Sequence, residues 1–450
     1  KLRDASVTAP LLLMQSNGGV AGAAKVRMAP ALTALSGPAA GVVGARAAAA
    51  ACGIKDIITV DIGGTSADIC LIKGGEIGLT QKGEVGEWPL PLPMVDMVTI
   101  GAGGGSIARV ADGALTEGQE SAGAAPGPAA YGRGGTAATV TDAHVVLGHL
   151  PARLLGGRMT LDAVAARRAI ARGVADPLNL PVEDAARGIL AIADNRMVGA
   201  LRVVSVERGH DPRDFTLLPF GGAGPLHGCA LAELIGSRRV LIVPAPGILC
   251  ADGLMAADLK AEFSRALPRA GAPDMAASAA ILAGLDQEAR AWYAEEGVAP
   301  EDCRFSSVAL MRYAGQGDEL PVSWSDAPAR LEANFVAAHQ ALYGFTLNAP
   351  VELVTLRVAA RAAMAAPPPA SLAASEVPTP SEHVPVAMGG GPRTRERRQV
   401  PVFERETLGR GAEIFGPAII TQLDSTTLIA PGWVGTVQPT GAILLTKAES

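Results

Sequence analysis

Short apolar runs separated by glycine-rich turns recur along the chain, and this rhythm predicts an α/β fold. Residues 57–60 and 67–72 predict two strands around one glycine turn, and residues 215–219 predict a strand before a second turn and a helix at 227–235. Further strands are expected at 11–15, 94–100, 139–141, 240–243, 306–313, 320–324, 351–359, 418–421, 426–429 and 442–446. Strands that alternate with turns and helices are typical of an α/β domain.

Five further segments have residue patterns that predict helices. A run of small residues at 39–52 is preceded by Ser36 as a candidate N-cap and followed by Gly53, a favourable C-cap. The other helices are expected at 143–150, 162–173, 182–206 and 276–296. Residues 116–136 are rich in Gly, Pro, Ala and Ser, and we expect a long ordered loop there.

The sequence predicts two regions of different architecture. Residues 1–265 carry the strand–turn–helix rhythm and are expected to form an α/β core. Residues 266–450 are expected to form an α+β region, with a Pro/Ala-rich excursion at 365–385.

Composition excludes several classes of protein. The 450 residues are 49% hydrophobic and 18% charged with a net charge of −6, which is the balance of a soluble globular protein. No basic cluster indicates a nucleic-acid partner, and no apolar run reaches the roughly 18 residues of a membrane span. The five cysteines form no CxxC pair, so we expect a reducing, cytoplasmic compartment.

The first glycine turn, residues 61–68, carries the chemistry of a phosphate site. Asp61 ends a strand, Gly63 and Gly64 let the backbone approach a ligand, and Thr65 adds a hydroxyl donor. Successive N–H groups in such a turn form a concave anion site, and the carboxylate of Asp61 is suited to hydrated Mg²⁺ or to orienting water. The alternative is an ordinary tight hairpin with a capping aspartate.

Two further glycine-rich segments are candidate backbone cradles. Gly221, Gly222 and Gly224 lie between a strand and a helix, and His227 comes after them. Residues 101–106 form another strand-terminal glycine run. For both segments, close packing of the backbone is the competing explanation.

Asp142, His144 and His149 lie close together in the sequence. With Asp142 as the N-cap of a helix, the two histidines are five residues apart and do not share a face well. A helix cap with two separate histidines is therefore the favoured interpretation. The sequence leaves open whether Asp142 and His144 contribute to a second metal site.

The residues of these motifs and the order in which they occur resemble those of the hydantoinase A family, which includes the N-methylhydantoinases and 5-oxoprolinases. The segments that carry the resemblance are 14–19, 36–41, 61–66, 101–107, 121–123, 126–128, 141–143 and 220–227, with thinner matches at 312–316, 351–353, 416–420 and 431–433. The resemblance implies an actin/hexokinase-type ATPase domain, which is ribonuclease-H-like, followed by the α+β region.

The resemblance also implies a reaction, in which ATP with Mg²⁺ phosphorylates the oxygen of a cyclic amide such as a hydantoin, an N-methylhydantoin or 5-oxoproline before hydrolysis. Two alternatives are the ATP-binding subunit of an acetone- or acetophenone-type ketone carboxylase, and a non-catalytic interaction module. A hydantoinase B-type subunit or domain is the implied partner, in a hetero-oligomer. The implied catalytic residues are Asp61, Thr65 and Asp68, with Asp61 at the metal; Gly63, Gly64, Thr65, Ser66, Gly221, Gly222, Gly224 and His227 are implied to bind the nucleotide.

The chain departs from the family pattern at several points. It contains no first phosphate loop of the Asp-Gly-Gly-Thr type before residue 61, and we expect it to begin after that half of the domain. Ala67 stands where the family usually has Thr, Ala130 where Cys is frequent, and His144 where Asn is usual. A Cys-Ala-Asp run at 250–252 replaces a Ser-Ala-Leu-like run. These differences bear on activity more than on fold.

Overall fold

The computed structural model describes residues 9–81, 83–85, 88–90, 92–364, 372–374, 377–387 and 397–448. Its architecture is mixed α/β, which confirms the expected class. Parts of the expected excursion at 365–385, namely residues 365–371, 375 and 376, lie outside the described residues. The chain divides into two compact units, one of Lys1–Ala34 with Ala257–Ala365 and the other of Leu35–Ala256 with Ala366–Ser450.

The helices occur in both units. They are α1 (Ala23–Met28), α2 (Ser36–Ala51), α3 (Val140–Leu147), α4 (Ala163–Ile170), α5 (Asp176–Leu178), α6 (Val182–Val204), α7 (Gly224–Ile235), α8 (Leu249–Ala256), α9 (Met275–Glu295) and α10 (Pro328–Tyr343). A π-helical segment, Ala171–Ala175, joins α4 to α5. The sequence patterns do not predict α10.

The strands are mostly short. They are β1 (Leu12–Met14), β2 (Val20–Gly22), β3 (Ile57–Ile62), β4 (Ala67–Lys73), β5 (Glu76–Ile77), β6 (Leu79–Thr80), β7 (Gly83–Val85), β8 (Trp88–Leu90), β9 (Met94–Val95), β10 (Met97–Ile100), β11 (Ser106–Ala111), β12 (Ala114–Ser121), β13 (Arg153–Leu154), β14 (Met159–Thr160), β15 (Thr216–Phe220), β16 (Arg239–Ile242), β17 (Leu259–Gly271), β18 (Arg304–Tyr313), β19 (Leu320–Ser323), β20 (Val351–Ala362), β21 (Glu382–Ala387), β22 (Arg397–Glu404), β23 (Glu413–Phe415), β24 (Ala418–Thr421), β25 (Thr426–Ile429), β26 (Trp433–Val437) and β27 (Ile443–Lys447).

The larger unit is built on a sheet of order β10-β4-β3-β15-β16-β27-β26-β23, with β5 beside β4. Strands β3, β15 and β16 are parallel neighbours, and their side chains are almost all buried, as expected for a sheet covered on both faces. In this register Asp61 lies beside Phe220. The carboxyl ends of β3 and β15, and the glycine turns that come after them, therefore meet at one edge of the sheet.

The smaller unit is built on a sheet of order β1-β2-β17-β20-β18-β19, against which α9 and α10 pack. Strand β17 pairs with β20 along most of its length and with β2 at Leu259. The expected boundary at residue 265 falls inside β17, which is continuous from Leu259 to Gly271. The units therefore separate at 256/257, and residues before 35 belong with the later part of the chain.

Three local expectations differ from the structure. The expected strand at 139–141 is the start of α3, where Thr139 is the N-cap and Asp142 closes a capping box from the third helical position. The expected loop at 116–136 begins as strand β12, paired with β11. Ser36 is the first residue of α2, and Leu35 occupies the N-cap position.

Helices α2 and α8 pack with their backbones in close contact. A Cβ atom at Gly44 would lie 2.7 Å from the carbonyl oxygen of Leu249, and one at Gly253 would overlap the carbonyl oxygen of Ala40. Small residues along α2 allow this approach, because each larger side chain would separate the helices. The packing places Cys250, on α8, near the end of β3.

We expect Gly253→Ala to lower the free energy of unfolding by about 1–3 kcal/mol, because the added methyl overpacks the α2–α8 contact. The matched control is Gly199→Ala on α6, where nothing lies within 4 Å of the new Cβ. That change should stabilise the protein by about 0.5–1 kcal/mol, since alanine is the better helix former. Urea unfolding of the two variants measures both effects; equal stabilities would contradict the packing argument.

Candidate functional site

The β3–β4 hairpin places two carboxylates opposite each other. The antiparallel register pairs Asp61 with Asp68, and the Gly63 N–H donates to the Ser66 carbonyl oxygen at 3.1 Å to close the turn. Gly64 and Thr65 are exposed at the tip, whereas Asp61 and Asp68 are partly buried at its base. The hairpin therefore presents backbone groups and a hydroxyl at its tip, and acid groups behind them.

The glycine run at 101–106 packs against the turn of this hairpin. The N–H groups of Gly104 and Gly105 donate to the carbonyl oxygens of Gly63 and Gly64 at 3.0 and 2.7 Å. A Cβ atom at Gly103 would lie 2.8 Å from the Gly63 oxygen, so only glycine permits this approach. The sequence left open whether this run is a ligand cradle or a site of close backbone packing. The structure favours close packing, because these amides already donate to carbonyl oxygens of the hairpin.

The amides at the tip of the hairpin are differently placed. Among the described residues, the N–H groups of Gly64 and Thr65 donate to no backbone or side-chain acceptor. The carbonyl oxygens of Gly63 and Gly64 accept from the 101–106 run, so the turn is held in place while its amides remain available to a ligand. This combination is what a preformed anion site requires.

The second glycine turn lies directly against the first. Gly221 has φ of +78°, and a Cβ atom there would lie 2.5 Å from the carbonyl oxygen of Ile62 and would overlap the Asp61 carboxylate. The Ala223 N–H donates to the Ile62 carbonyl oxygen at 3.1 Å, which ties the two turns together. Gly224 packs on the backbone of Pro219. The structure thus brings the glycines predicted from the two motifs to one place.

Asp61 carries an unusual charge environment. Burial, and then the negative charge of Asp68, raise the pKa of Asp61 from 3.8 to about 6. The Cys250 thiol donates to Asp61 Oδ2 over 3.6 Å and partly opposes the rise. Burial also raises the pKa of Asp68, whose Oδ1 accepts from the Thr99 hydroxyl at 2.5 Å. A carboxylate pair of this kind is suited to holding a cation or exchanging a proton near neutral pH.

A cavity of about 590 Å³ opens beside the hairpin tip. Its lining includes glycine backbone and Thr65, and also the apolar side chains of Leu150, Leu154 and Met159. Other lining residues are Gly63, Gly64, Gly104, Gly105, Gly123, Ala124, Pro128, Tyr131, Arg133, Thr141, Leu155, Gly222, Ala223, Leu226 and residues 422–426. Asp61 and Asp68 are outside this lining, and Asp61 contacts Cys250 on α8.

Several lining residues were not singled out from the sequence. Arg133 is exposed and lines the cavity, so it offers a cation to an anionic ligand. Asp424 accepts from the Gly247 N–H at 2.7 Å, which holds the 422–426 segment at the cavity. Ser425 is buried, and its hydroxyl has no partner among the described residues. No motif marked these residues, because they come from distant parts of the chain.

Asp142 and the histidines do not form a metal site. The Asp142 carboxylate accepts from the N–H groups of Ala129, Ala130 and Thr139 and from the Thr139 hydroxyl, so its lone pairs are occupied. Across the residues that the structure describes, no three His, Cys, Asp or Glu side chains are placed to share a metal ion.

The expectation that His144 and His149 stay apart is wrong. Helix α3 ends at Leu147, and Gly148 with φ of +82° turns the chain back, which brings the two rings within 3.0 Å, Nδ1 to Nδ1. His227, predicted to bind the nucleotide, is buried and contacts Asp194 and His144, while its neighbour Leu226 lines the cavity.

Comparison with known proteins gives consistent matches. The profile of the family described as Hydantoinase/oxoprolinase matches residues 1–263. The chain is 36% identical to caprolactamase subunit alpha of Pseudomonas jessenii over 98% of its own length and 65% of that protein's. It is 30% identical to the acetone carboxylase beta subunit of Xanthobacter autotrophicus (89% and 59% covered) and to 5-oxoprolinase 1 of Arabidopsis thaliana (94% and 34% covered).

A solved structure supports the same relationship. The crystal structure of ATP-dependent caprolactamase from Pseudomonas jessenii superposes with a TM-score of 0.84 at 36% identity, covering 98% of this chain and 66% of that one. The chain thus spans about two thirds of the length of the caprolactamase chain. It spans a smaller share of the acetone carboxylase subunit and of 5-oxoprolinase 1. In the described residues, no helix has the length and apolar character needed to cross a membrane.

We expect Asp61→Asn to stabilise the protein at pH 7–8, by roughly 1–3 kcal/mol, because folding then no longer buries this charge. Since folding raises the pKa of Asp61 from 3.8 to about 6, the folded state binds more protons between those values, and wild-type stability falls as the pH rises through that window. The gain from the substitution should therefore shrink as the pH falls from 6 to 4. Thermal melting across this range measures it.

The control is Asp142→Asn, the same chemical change at a carboxylate that accepts four hydrogen bonds. That variant should be less stable than wild type at pH 7–8, because an amide nitrogen would face N–H donors, although burial raises the pKa of Asp142 as well. A destabilised Asp61→Asn variant at pH 7–8 would contradict the charge argument.

Proposed function

Because the chain belongs to the hydantoinase/oxoprolinase family, we propose that it uses ATP to activate a cyclic amide for hydrolysis. The observation that carries the proposal is the hairpin tip, where the amides of Gly64 and Thr65 are unengaged beside the Thr65 hydroxyl. Backbone amides held rigidly in this way suit the negative oxygens of a triphosphate. The Ser66 carbonyl oxygen closes the same turn, and Gly222 lines the cavity.

The cavity beside the tip has the composition that a nucleotide requires. Its glycine backbone and Arg133 are suited to phosphate oxygens, and its apolar residues are suited to a flat, weakly polar base. Gly221 and Gly224 belong to the second glycine turn, which packs closely against Asp61 and the end of β15. The adenosine is therefore assigned to the side of the second glycine turn, and the triphosphate to the hairpin.

Asp61 and Asp68 fit a magnesium ion. Mg²⁺ in nucleotide sites takes one or two carboxylates and completes its shell with water and phosphate oxygens, so a protein cage of three or more ligands is not needed. Both carboxylates are partly buried and adjoin the hairpin, with Asp61 as the principal ligand. When bound, the ion would neutralise phosphate charge.

The chemistry is dictated by the poor leaving-group character of an amide. The γ-phosphoryl group of ATP moves to the amide carbonyl oxygen and ADP leaves. Water then adds to the carbon and the C–N bond breaks, which opens the ring to an acyl phosphate with a free amine. A second water hydrolyses the acyl phosphate to the carboxylate and inorganic phosphate. Positioning and charge neutralisation dominate phosphoryl transfer, and the hairpin supplies both. Thr65 orients a phosphate oxygen, while Asp61 and Asp68 hold the ion and its water.

The proposed substrates are cyclic amides: hydantoins, 5-oxoproline or a lactam. The relatives named caprolactamase and 5-oxoprolinase support this class. Two relatives are described as subunits, alpha in the caprolactamase and beta in the acetone carboxylase, which supports a hetero-oligomer with a hydantoinase B-type subunit. Five free cysteines agree with the expected cytoplasmic setting.

The acetone carboxylase relative supports a second candidate, the ATP-binding subunit of a ketone carboxylase. Both reactions begin with the activation of a carbonyl oxygen. They differ in the second reactant. Hydrolysis needs only water, whereas carboxylation needs bicarbonate. Products formed from lactams, hydantoins and 5-oxoproline, or from ketones with bicarbonate, therefore separate them.

We expect the full-length protein with its partner subunit to hydrolyse ATP in a manner that depends on the cyclic amide, and Asp61→Asn to lower that turnover about 100-fold or more. Thr65→Val should lower it less, because it removes one donor and leaves the backbone amides in place. Phosphate release, measured with and without each substrate, tests this.

The matched control is Asp112→Asn, at an exposed turn residue with φ of +50° that asparagine tolerates. It should leave turnover unchanged. Wild-type activity in Asp61→Asn would overturn the site assignment. Absence of ATP turnover with every substrate class would favour the non-catalytic alternative.

A further inference from the structure

A row of buried polar side chains links α6, α7 and α3. His227 Nδ1 lies 2.6 Å from Asp194 Oδ1, His227 Nε2 lies 3.2 Å from His144 Nε2, and His144 Nδ1 lies 3.0 Å from His149 Nδ1. None of the four residues is more than 9% exposed. Each contact joins a different pair of structural elements, so the row spans the inside of the larger unit.

The protons of this row have one consistent neutral arrangement. An ionised carboxylate only accepts, so His227 donates to Asp194 from Nδ1 and keeps a lone pair on Nε2. His144 then donates from Nε2 to His227 and accepts at Nδ1, which requires His149 to donate from its own Nδ1. The carboxylate at one end thus determines the tautomer of every ring.

The alternative arrangement places a proton on both nitrogens of His227 and pairs its imidazolium with Asp194. If His227 were an imidazolium, His144 would accept at Nε2 and donate from Nδ1, and His149 would direct an N–H outward. Burial, together with the neighbouring rings, holds the pKa of His144 well below its usual range, and burial lowers the pKa of His149 to about 4. The charge of His227 is among the causes that lower both pKa values, and the positive charge of Arg187 lowers that of His149 further. Both arrangements keep His144 and His149 neutral, so the tautomer of His144 distinguishes them. With His227 neutral, the proton positions are those given above.

The row connects two walls of the cavity. His227 comes directly after Leu226, which lines the cavity from α7, and His144 lies one helical turn after Thr141, which lines it from α3. Thr141 also donates from its N–H and hydroxyl to the Gly104 carbonyl oxygen, both at 2.8 Å, and Gly104 holds the hairpin. A displacement of α3 against α7 would therefore move both the hairpin support and the second glycine turn.

We propose that Asp194, His227, His144 and His149 form one directed hydrogen-bond chain that holds α3 against α7 and so positions the cavity walls for the nucleotide. These are positioning residues, since none of them lines the cavity. The nucleotide as ligand rests on the proposed function, whereas the chain of contacts rests on the geometry alone. This assignment gives His227 a role different from direct nucleotide contact.

The first test is the tautomeric state of the rings in the wild-type protein. The sequence has six histidines, so ¹⁵N-histidine labelling and long-range ¹H–¹⁵N correlation at neutral pH give a small spectrum that single substitutions assign. We expect protons on Nδ1 of His227 and His149 and on Nε2 of His144. His339 is an internal reference, because its Nδ1 lies 2.9 Å from the Phe345 carbonyl oxygen and must donate. A proton on Nδ1 of His144, or an imidazolium at His227, would overturn the directed chain.

The second test compares Asp194→Ala and His144→Phe with Asp194→Asn in the full-length protein and its partner. The first two break the chain, and each should weaken binding of ATP with magnesium about tenfold while the rate at saturation stays within about twofold. Asp194→Asn keeps an acceptor oxygen and should keep the tautomers and the affinity. Calorimetry and the split between KM and kcat measure this, with melting temperature to verify folding.

Each outcome decides a separate point. Unchanged affinity in a folded Asp194→Ala or His144→Phe variant would overturn the positioning role. An Asp194→Asn variant as weak as Asp194→Ala would show that charge, not an acceptor, matters, and would also overturn it. If the wild type binds no nucleotide, the proposed function fails, while the tautomer measurement still tests the chain.

Discussion

The parallel pairing of β3 with β15 is the constraint on which the rest of the site depends. It sets Asp61 beside Phe220, so that both strands end at one edge and their glycine turns lie in contact. The contact leaves no room for a side chain at residue 221, where the backbone lies against Asp61 and Ile62. A shift of one residue in this register would separate the turns and turn Asp61 to the other face. The position of the acid group is therefore a property of the sheet.

Close approach of backbones is the recurring means of construction in this protein. Helices α2 and α8 meet through Gly44 and Gly253, and the 101–106 run meets the hairpin through Gly103. Because few large side chains intervene, the glycine turns present mainly backbone groups to the cavity. This explains why a chain with only 4% aromatic residues still builds a defined cavity. It also explains why a methyl group can be a severe change here.

Burial is used in two opposite ways in the larger unit. At Asp142 and along the histidine row, each polar group has its hydrogen-bond partners, so these groups stabilise the packing of α3. At Asp61, burial and Asp68 oppose the charged form, and a single thiol offsets this only in part. Unfavourable charge of this kind is stored where a ligand can relieve it. Burial raises the pKa of Asp142 as well, so the two carboxylates differ in the number of hydrogen bonds that each accepts.

The sequence by itself determined what local pattern can specify: the α/β class, the hairpin at 61–68, the two glycine turns and the family, since turns and short strands depend on neighbouring residues. It did not reveal α10. The buried residues of this helix are Leu331, Phe335 and His339, and the polar histidine breaks the apolar pattern that would have predicted a helix. Only the tertiary structure decided that the Cys250 thiol reaches Asp61, that residues 422–426 border the cavity, and that β17 joins the two ends of the smaller unit. These contacts join residues far apart in the chain, and periodicity carries no information about which distant segments pair.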